Sequence, residues 1–259
     1  MNEDIIYQNK NGIEFIQFKR LLELGIKHAY TLKGEEIDFT TSSEKMNPSY
    51  EKLFKTLDLD INTLVRQRQT HTANVKCIHC VESPESLDGV DGLITNQKHI
   101  TLASKNADCI LFLLYDPVQK VIANIHSGWR GTFKKIVEKA VVKMMTYYHS
   151  EAKDIVCCIC PSIRKCHFEV DEDVKELCEN IFGFTNQTES FIRTGEIKDN
   201  KQKYYIDNVE INKILLRELG IKEENIMDCE ICSVCHSNKI SSSRVEGKNF
   251  TRATAIISL

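Results

Sequence analysis

The chain has 259 residues, a formal net charge of −3 and 42% hydrophobic residues. That length buries a sizeable core in one large domain or two small ones, and the composition is that of an ordinary globular protein. The slight acidity removes any electrostatic reason to expect nucleic acid or an anionic membrane surface as a partner. No apolar run approaches the roughly 20 residues a bilayer needs. The first residues, MNEDIIYQNKNG, lack the basic start and apolar stretch of a signal peptide, so a cytoplasmic location is expected. The eleven cysteines, an odd number, then read as reduced thiols, some buried and some metal-binding, rather than as a disulfide framework.

No repeat, low-complexity tract or Pro/Gly/Ser linker interrupts the chain, so residues 1–259 are expected to form a single domain. Short runs rich in β-branched residues predict strands at 13–17, 75–80, 92–95, 101–103, 109–115, 121–126, 155–159, 204–207 and 253–258. Within 155–159 and just beyond, Cys157, Cys158 and Cys160 read as buried structural thiols. A helix is expected over 50–57, behind Asn47-Pro48. Another is expected over 132–148, capped by Thr132, where Phe133, Ile136, Val137, Ala140, Val141, Met144, Met145 and Tyr148 form one stripe at helical period. Its two methionines are core, not a metal box. A third fits 171–182, with Asp171 as cap and Val174, Leu177, Cys178 and Ile181 inward. A fourth fits 209–219, stopped by Gly220. Strands 109–115 and 121–126, joined by Asp116-Pro117, read as an antiparallel hairpin. The fold class is therefore α/β (α+β) layers with mixed sheets rather than a regular βαβ repeat.

The stretch from Asn106 to Thr132 concentrates the chemistry. It places Cys109 and His126 on the two hairpin strands, while His71 sits upstream in RQRQTHTANV. Thiolate and neutral imidazole are ligands zinc binds readily, and three of them leave a tetrahedral ion one open position, the arrangement of a catalytic site. Each residue also has a plainer reading. A cysteine opening an apolar strand is usually a small buried hydrophobe, and a histidine ending a strand is usually structural. Asp108 beside Cys109 is a carboxylate at the edge of a core strand and needs a partner. After His126, Gly128-Trp129-Arg130-Gly131 opens a helix. Its glycines allow close backbone approach, and Arg130 with free N–H groups at the helix start suits an anion such as phosphate. Arg130 pairing with a neighbour on a solvated loop is the alternative.

Two further cysteine patterns carry less. Cys232-Ser233-Val234-Cys235-His236 spells the c-type haem attachment motif, but such attachment belongs to exported proteins and no export signal is seen. A four-thiolate zinc site joining Cys77 and Cys80 to Cys232 and Cys235 requires a separation far beyond a zinc ribbon's spacing. A redox-sensitive pair at Cys232/Cys235 stays open.

Gln69-Thr70-His71, Asp91-Gly92-Leu93-Ile94-Thr95, Ala107-Asp108-Cys109, Tyr115-Asp116-Pro117 and His126-Ser127-Gly128-Trp129-Arg130-Gly131-Thr132 occur in this order. Pro161-Ser162-Ile163, Phe168-Glu169-Val170, Cys232-Ser233-x-Cys235 and Ser242-Ser243-Arg244 follow. From about Asn47 onward the chain resembles the YfiH/PgeF family, labelled multicopper polyphenol oxidase or laccase-domain proteins and related to FAMIN. The resemblance implies a four-layer α/β/β/α sandwich like that of cysteine-hydrolase-like toxins. It also implies a zinc-dependent enzyme cleaving adenosine, inosine, guanosine and methylthioadenosine with phosphate, sometimes deaminating adenosine. The implied zinc ligands are His71, Cys109 and His126. Copper fits less well, since multicopper oxidation needs many more histidines than the eight present. Against the family pattern, Cys160 replaces a Gly, Ser241-Ser242-Ser243-Arg244-Val245 replaces Phe-Ser-Tyr-Arg-Arg, and Thr251 replaces a Gly. The C-terminal changes bear on base recognition.

On this reading Arg130, Gly128, Gly131 and Thr132 hold phosphate, with Gln69, Asp91 and Arg244 lining the substrate site. Asp108 or Asp91 shuttles protons or orients a histidine ligand. The partners are a nucleoside and phosphate, and a monomer is the default. A competing class is a cysteine hydrolase with Cys109 as nucleophile and His126 as base, acting on an amide such as a peptidoglycan precursor. A third is a non-enzymatic zinc or thiol sensor.

Overall fold

The computed structural model describes residues 3–34, 37–40, 47–183 and 188–259. One six-stranded sheet runs β1 (Ile5–Lys10), β2 (Ile13–Phe18), β3 (Lys27–Thr31), β15 (Ala253–Ser258), β7 (Thr101–Asn106) and β4 (Leu64–Arg66). A second runs β14 (Ile226–Asp228), β10 (Val156–Ile159), β8 (Ile110–Asp116), β9 (Val121–Ser127), β6 (Gly92–Thr95) and β5 (Val75–Cys77). A small three-stranded sheet joins β11 (Glu169–Val170), β13 (Lys201–Ile206) and β12 (Ile192–Lys198). The expected hairpin is present: β8 and β9 pair antiparallel from Ile110↔Ser127 to Asp116↔Val121. Both large sheets are mixed, with β4–β7, β5–β6 and β10–β14 parallel.

Three hydrophobic clusters explain the stacking. Leu102, Ala255 and Ile257 of the first sheet pack with Leu111, Leu113, Ile122 and Cys158 of the second. The other face of the second sheet, through Phe112, Leu114, Ala123 and Ile125, buries Ile136, Val137, Ala140, Val141 and Met144 of the Ile136–Tyr148 helix. The other face of the first sheet, through Phe15, Ala29 and Ile256, takes Tyr50, Leu53 and Phe54 of the Pro48–Thr56 helix. A strand covered on both faces is buried throughout, which is why β8 reads as a near-continuous hydrophobic run and β9 as one broken by Asn124 and His126. Cys157, Cys158 and Cys160 are fully buried, as expected of structural thiols.

Three helix expectations change in detail. The 132–148 stripe is two helices, Trp129–Phe133 and Ile136–Tyr148, separated by Lys135 in the left-handed conformation at φ 58°. Phe133 thereby leaves the stripe and packs with Phe182, Phe191 and Leu215 in a separate cluster. The first of these helices is capped by Gly128, not Thr132. Asp171 precedes the Glu172–Phe182 helix without a side-chain capping bond, because its carboxylate accepts from Lys203 Nζ. On that helix Leu177 is exposed while Cys178 and Phe182 are buried. The Asn208–Glu218 helix is capped by Asp207, which accepts from the N–H groups of Val209 and Glu210.

Candidate metal centre and its cavity

His126 alternates with Ile125 along β9, and the pleat sends the two to opposite faces. Ile125 enters the helix-facing core. His126 shares the other face with Asn124, whose amide donates to Leu102 O and Ala255 O of the first sheet. Pairing of Gly92 with Ile125 sets Asp91 beside His126, and the His126 N–H donates to Asp91 O at 2.7 Å. Cys109 immediately precedes β8 and follows Asp108, a non-glycine residue at φ 86°. His71 arrives on the loop after β4, itself at φ 62°. The ligand atoms of His71, Cys109 and His126 all lie within 4.8 Å of one another.

Asp91 builds this cluster without entering the cavity. It is fully buried. Its Oδ1 accepts from His126 Nδ1 at 2.8 Å and from the His71 N–H at 3.1 Å. Its Oδ2 accepts from the Thr72 N–H and Thr72 Oγ1, each at 2.7 Å, and from the Thr70 N–H at 3.3 Å. One carboxylate thus orients one histidine ring and fixes the loop carrying the other. Burial pushes the Asp91 pKa up, but the bonds from His126 and Thr72 outweigh it and hold the carboxyl down at about 2. Burial likewise opposes charge on Cys109 and His126. The His126 charge and the bonds from both histidines nevertheless hold the Cys109 thiol down at about 6. The Cys109 and Asp91 partners raise His126 to about 9.

The donor set fits a metal ion. Cys109 Sγ and His71 Nε2 are 3.7 Å apart, and a tetrahedral zinc ion separates a sulfur and a nitrogen ligand by about 3.6 Å. Asp91 engages Nδ1 of His126 and leaves Nε2 for an ion, the carboxylate–histidine arrangement of metal sites. Gly128 is shaped to the cluster as well: a Cβ there lies 2.7 Å from His71 Cδ2 and 3.1 Å from Cys109 Sγ.

The other expected residues fall into two groups. Asp108 is buried, accepting from Ser233 Oγ at 2.6 Å, Ser243 Oγ at 2.8 Å and the Arg244 N–H at 2.8 Å. It ties the C-terminal segment to the residue before Cys109 and is occupied in doing so. Gln69 clamps its loop to β7, donating to Lys105 O at 2.7 Å and accepting the Lys105 N–H at 3.0 Å. Arg244 is exposed, its guanidinium donating to His167 O at 3.1 Å. The Arg loop departs most from expectation. Arg130 is exposed and stacks on Trp129 with 4.2 Å between guanidinium and ring centroid. It does not line the cavity described next. Thr132 is fully buried, its hydroxyl shared with Ser127 Oγ and Asn212 Nδ2, each at 2.9 Å. Gly131 packs against the Thr72 carbonyl.

What residue-by-residue reading missed is a cationic cavity. His71, Cys109 and His126 open onto a space of about 480 Å³ whose lining includes Arg66, Arg68, Lys105 and Arg252. These four come from β4, the loop after it, β7 and the segment before β15. Burial together with the charges of Arg252 and Arg66 holds Lys105 down at about 8. The basic residues of RQRQTHT flank His71 in sequence, and that proximity is the one signal that could have found them.

A family model described as multi-copper polyphenol oxidoreductase laccase matches residues 37–259. The chain belongs to this family. Within the family's reach, a Bacteroides thetaiotaomicron protein named purine nucleoside phosphorylase is 31% identical over 209 residues, covering 78% of this chain and 75% of its own. Mouse purine nucleoside phosphorylase LACC1 is 28% identical over 245 residues, 91% of this chain, which spans only 53% of the mouse protein. A relative from an unknown prokaryotic organism named adenosine deaminase RL5 is 30% identical over 203 residues, 76% of this chain and 75% of its own. Among solved structures, Bacillus licheniformis protein YfiH shares the fold, with a TM-score of 0.84 at 22% identity over 98% of both chains. No helix among the described residues is long and apolar enough to cross a membrane.

Proposed function

We propose that this chain is a zinc-dependent purine nucleoside phosphorylase, converting adenosine, inosine, guanosine or methylthioadenosine with phosphate into free base and ribose 1-phosphate, and that it also deaminates adenosine. The observation that carries this reading is the opening of the His71/Cys109/His126 cluster directly onto a cavity walled by four cations. The cavity volume of about 480 Å³ lies in the range of small-molecule sites. The family's relatives named for these two activities support it.

His71, Cys109 and His126 would hold the zinc; when bound, it supplies a Lewis acid with one coordination position free of protein. The remaining work falls to the chain. Arg66, Arg68, Lys105 and Arg252 gather phosphate in the same cavity, the Arg residues offering planar forks to its oxygens. An entering phosphate offsets the burial and the Arg252 and Arg66 charges that hold the Lys105 pKa down, and so favours its charged form. Phosphate held there stabilises the positive charge that develops on the ribose as the glycosidic bond breaks, so positioning and charge complementarity dominate. Asp91 keeps His126 and the His71 loop in place, and Asp108 keeps the Ser243 segment against the cavity. Arg130 takes no part, and neither aspartate shuttles a proton. We further read the three hydrophobic clusters as a four-layer α/β/β/α order in a single domain, working as a monomer, since one chain carries the triad and the cavity together.

The test is chromatographic: protein of measured zinc content incubated with adenosine, with and without phosphate. Phosphate-dependent adenine and ribose 1-phosphate are expected, and inosine in either tube reports deamination. Cys109→Ala abolishes both activities. Lys105→Gln raises KM for phosphate about tenfold, the loss of one charge-assisted contact. The competing hydrolase reading draws on the same Cys109 thiol, held at about 6 beside His126. Absence of nucleoside turnover by zinc-loaded protein, with amide hydrolysis by the chelated protein that iodoacetamide stops, overturns the proposal in its favour.

A further inference from the structure

A second cluster of metal ligands lies on a different pair of loops. Cys166 and His167 precede β11, and Cys232 and Cys235 follow β14. Their sulfurs and one imidazole nitrogen all fall within 4.8 Å of one another. Cys166 Sγ to Cys235 Sγ is 3.8 Å, Cys235 Sγ to His167 Nδ1 is 3.5 Å and Cys232 Sγ to His167 Nδ1 is 3.7 Å. Around tetrahedral zinc, bonds of about 2.3 Å to sulfur and 2.0–2.1 Å to nitrogen separate two sulfurs by about 3.8 Å and a sulfur from a nitrogen by about 3.6 Å. Three of the measured edges match that tetrahedron closely. The fourth, Cys166 Sγ to His167 Nδ1 between neighbouring residues, is tighter at 3.1 Å.

We propose that Cys166, His167, Cys232 and Cys235 form a structural zinc site of Cys₃His type, separate from the His71/Cys109/His126 centre. Four protein ligands close the coordination sphere, so the site holds loops together and does no chemistry. Its position explains what it holds. Ser162 and Cys232 pair as an isolated bridge, and the Ser233 N–H donates to Ser162 O at 3.0 Å. From there Ser233 Oγ reaches Asp108, and His167 O accepts from Arg244. Zinc at the crossing therefore pins the two loops that brace the residue before Cys109. It also accounts for the CxxC of residues 232–235 without haem and without Cys77 and Cys80. Binding converts three thiols to thiolates and releases their protons to solvent, so affinity rises with pH.

The experiment measures zinc and its coordination in the full chain purified under reducing conditions. Wild type is expected to carry two zinc ions per chain, Cys109→Ala one, Cys235→Ser one, and the double variant none. In Cys109→Ala, cobalt(II) substitution should give the thiolate-to-cobalt charge-transfer absorption of three sulfurs, and chelation should still lower Tm. X-ray absorption of zinc-loaded wild type needs no variant to fold. An average of two sulfurs per zinc supports both centres, and three sulfurs with one zinc supports this site while overturning the His71/Cys109/His126 centre. One sulfur with one zinc overturns the proposal. So does a Cys166–Cys235 disulfide found by non-reducing peptide mass spectrometry, or two zinc ions retained by Cys235→Ser.

Discussion

Replacement of Gly128 by alanine isolates the geometry of the metal centre from the stability of the fold. Gly128 sits at φ −71° and ψ 175°, extended backbone open to any residue, so alanine adds no backbone strain. The new methyl group instead meets His71 Cδ2 at 2.7 Å and Cys109 Sγ at 3.1 Å. Ordinary contact begins near 3.4 Å, so the His71 ring must retreat by about 0.7 Å, beyond the roughly 0.5 Å tolerance of a preorganised site. His71 is exposed on a loop and can retreat cheaply, whereas Cys109 is anchored between Asp108 and β8. Reduced freedom of the unfolded chain contributes about 0.4–1 kcal/mol in the variant's favour, which offsets most of a soft clash. We expect Tm within a few degrees of wild type. Zinc affinity at this centre should fall at least about tenfold, and kcat/KM about a hundredfold. Competition titration against a chromophoric chelator and steady-state phosphorolysis read the two effects. Wild-type affinity and turnover in Gly128→Ala would refute the claim that this glycine gives His71 and Cys109 room to share an ion.

Asp91→Asn turns one acceptor of the ring of bonds from Thr70, His71, Thr72 and His126 into a donor facing donors. A drop of about 10–100-fold in zinc affinity or kcat/KM is expected, and unchanged values in both assays would contradict the orienting role. Asp228 supplies a pH-dependent test at an ion pair outside the His71/Cys109/His126 centre, where Arg164 joins it to the loop carrying Cys166. Burial raises its pKa, but the bidentate bond from Arg164 at 2.7 and 2.9 Å, with Lys213 at 2.7 Å, holds it at about 2. A folded pKa below the unfolded value near 3.8 contributes about 2–3 kcal/mol above pH 4, lost as the pH falls toward 2. Asp228→Asn should therefore destabilise by about 3 kcal/mol at pH 7, with the gap to wild type narrowing below pH 4 in urea titrations. A gap constant from pH 7 to pH 3 excludes this account.

The strands were legible wherever burial imposes a pattern on contiguous residues. The runs 92–95 and 253–258 match β6 and β15 residue for residue, and the β8–β9 hairpin matches within a residue at each end. The helix stripe from Ile136 was equally plain, because 3.6-residue periodicity is local, although Met145, expected in the core, is exposed at its margin. The edge strand β1 and the short interior strand β3 went unseen. So did β12, exposed at five of its seven residues, because a half-solvated edge imposes little hydrophobic signature. The break at Lys135 also escaped, since a single left-handed residue leaves the stripe almost intact.

For the site, the sequence by itself determined which residue types were on offer: a thiol before one hairpin strand, an imidazole at the end of the next, and a histidine on a polar loop. Hydrogen-bond register in a sheet follows from alternation along the strands, so the pairing of Cys109's strand with that of His126 was within reach. Only the tertiary structure decided that Asp91 faces inward to organise both histidines. Only it could turn Arg130 out to stack on Trp129, gather Arg66, Arg68, Lys105 and Arg252 from four segments, and bring Cys166-His167 to Cys232 and Cys235. Such contacts join residues far apart in the chain, and local periodicity holds no record of which loops the packed sheets will bring together.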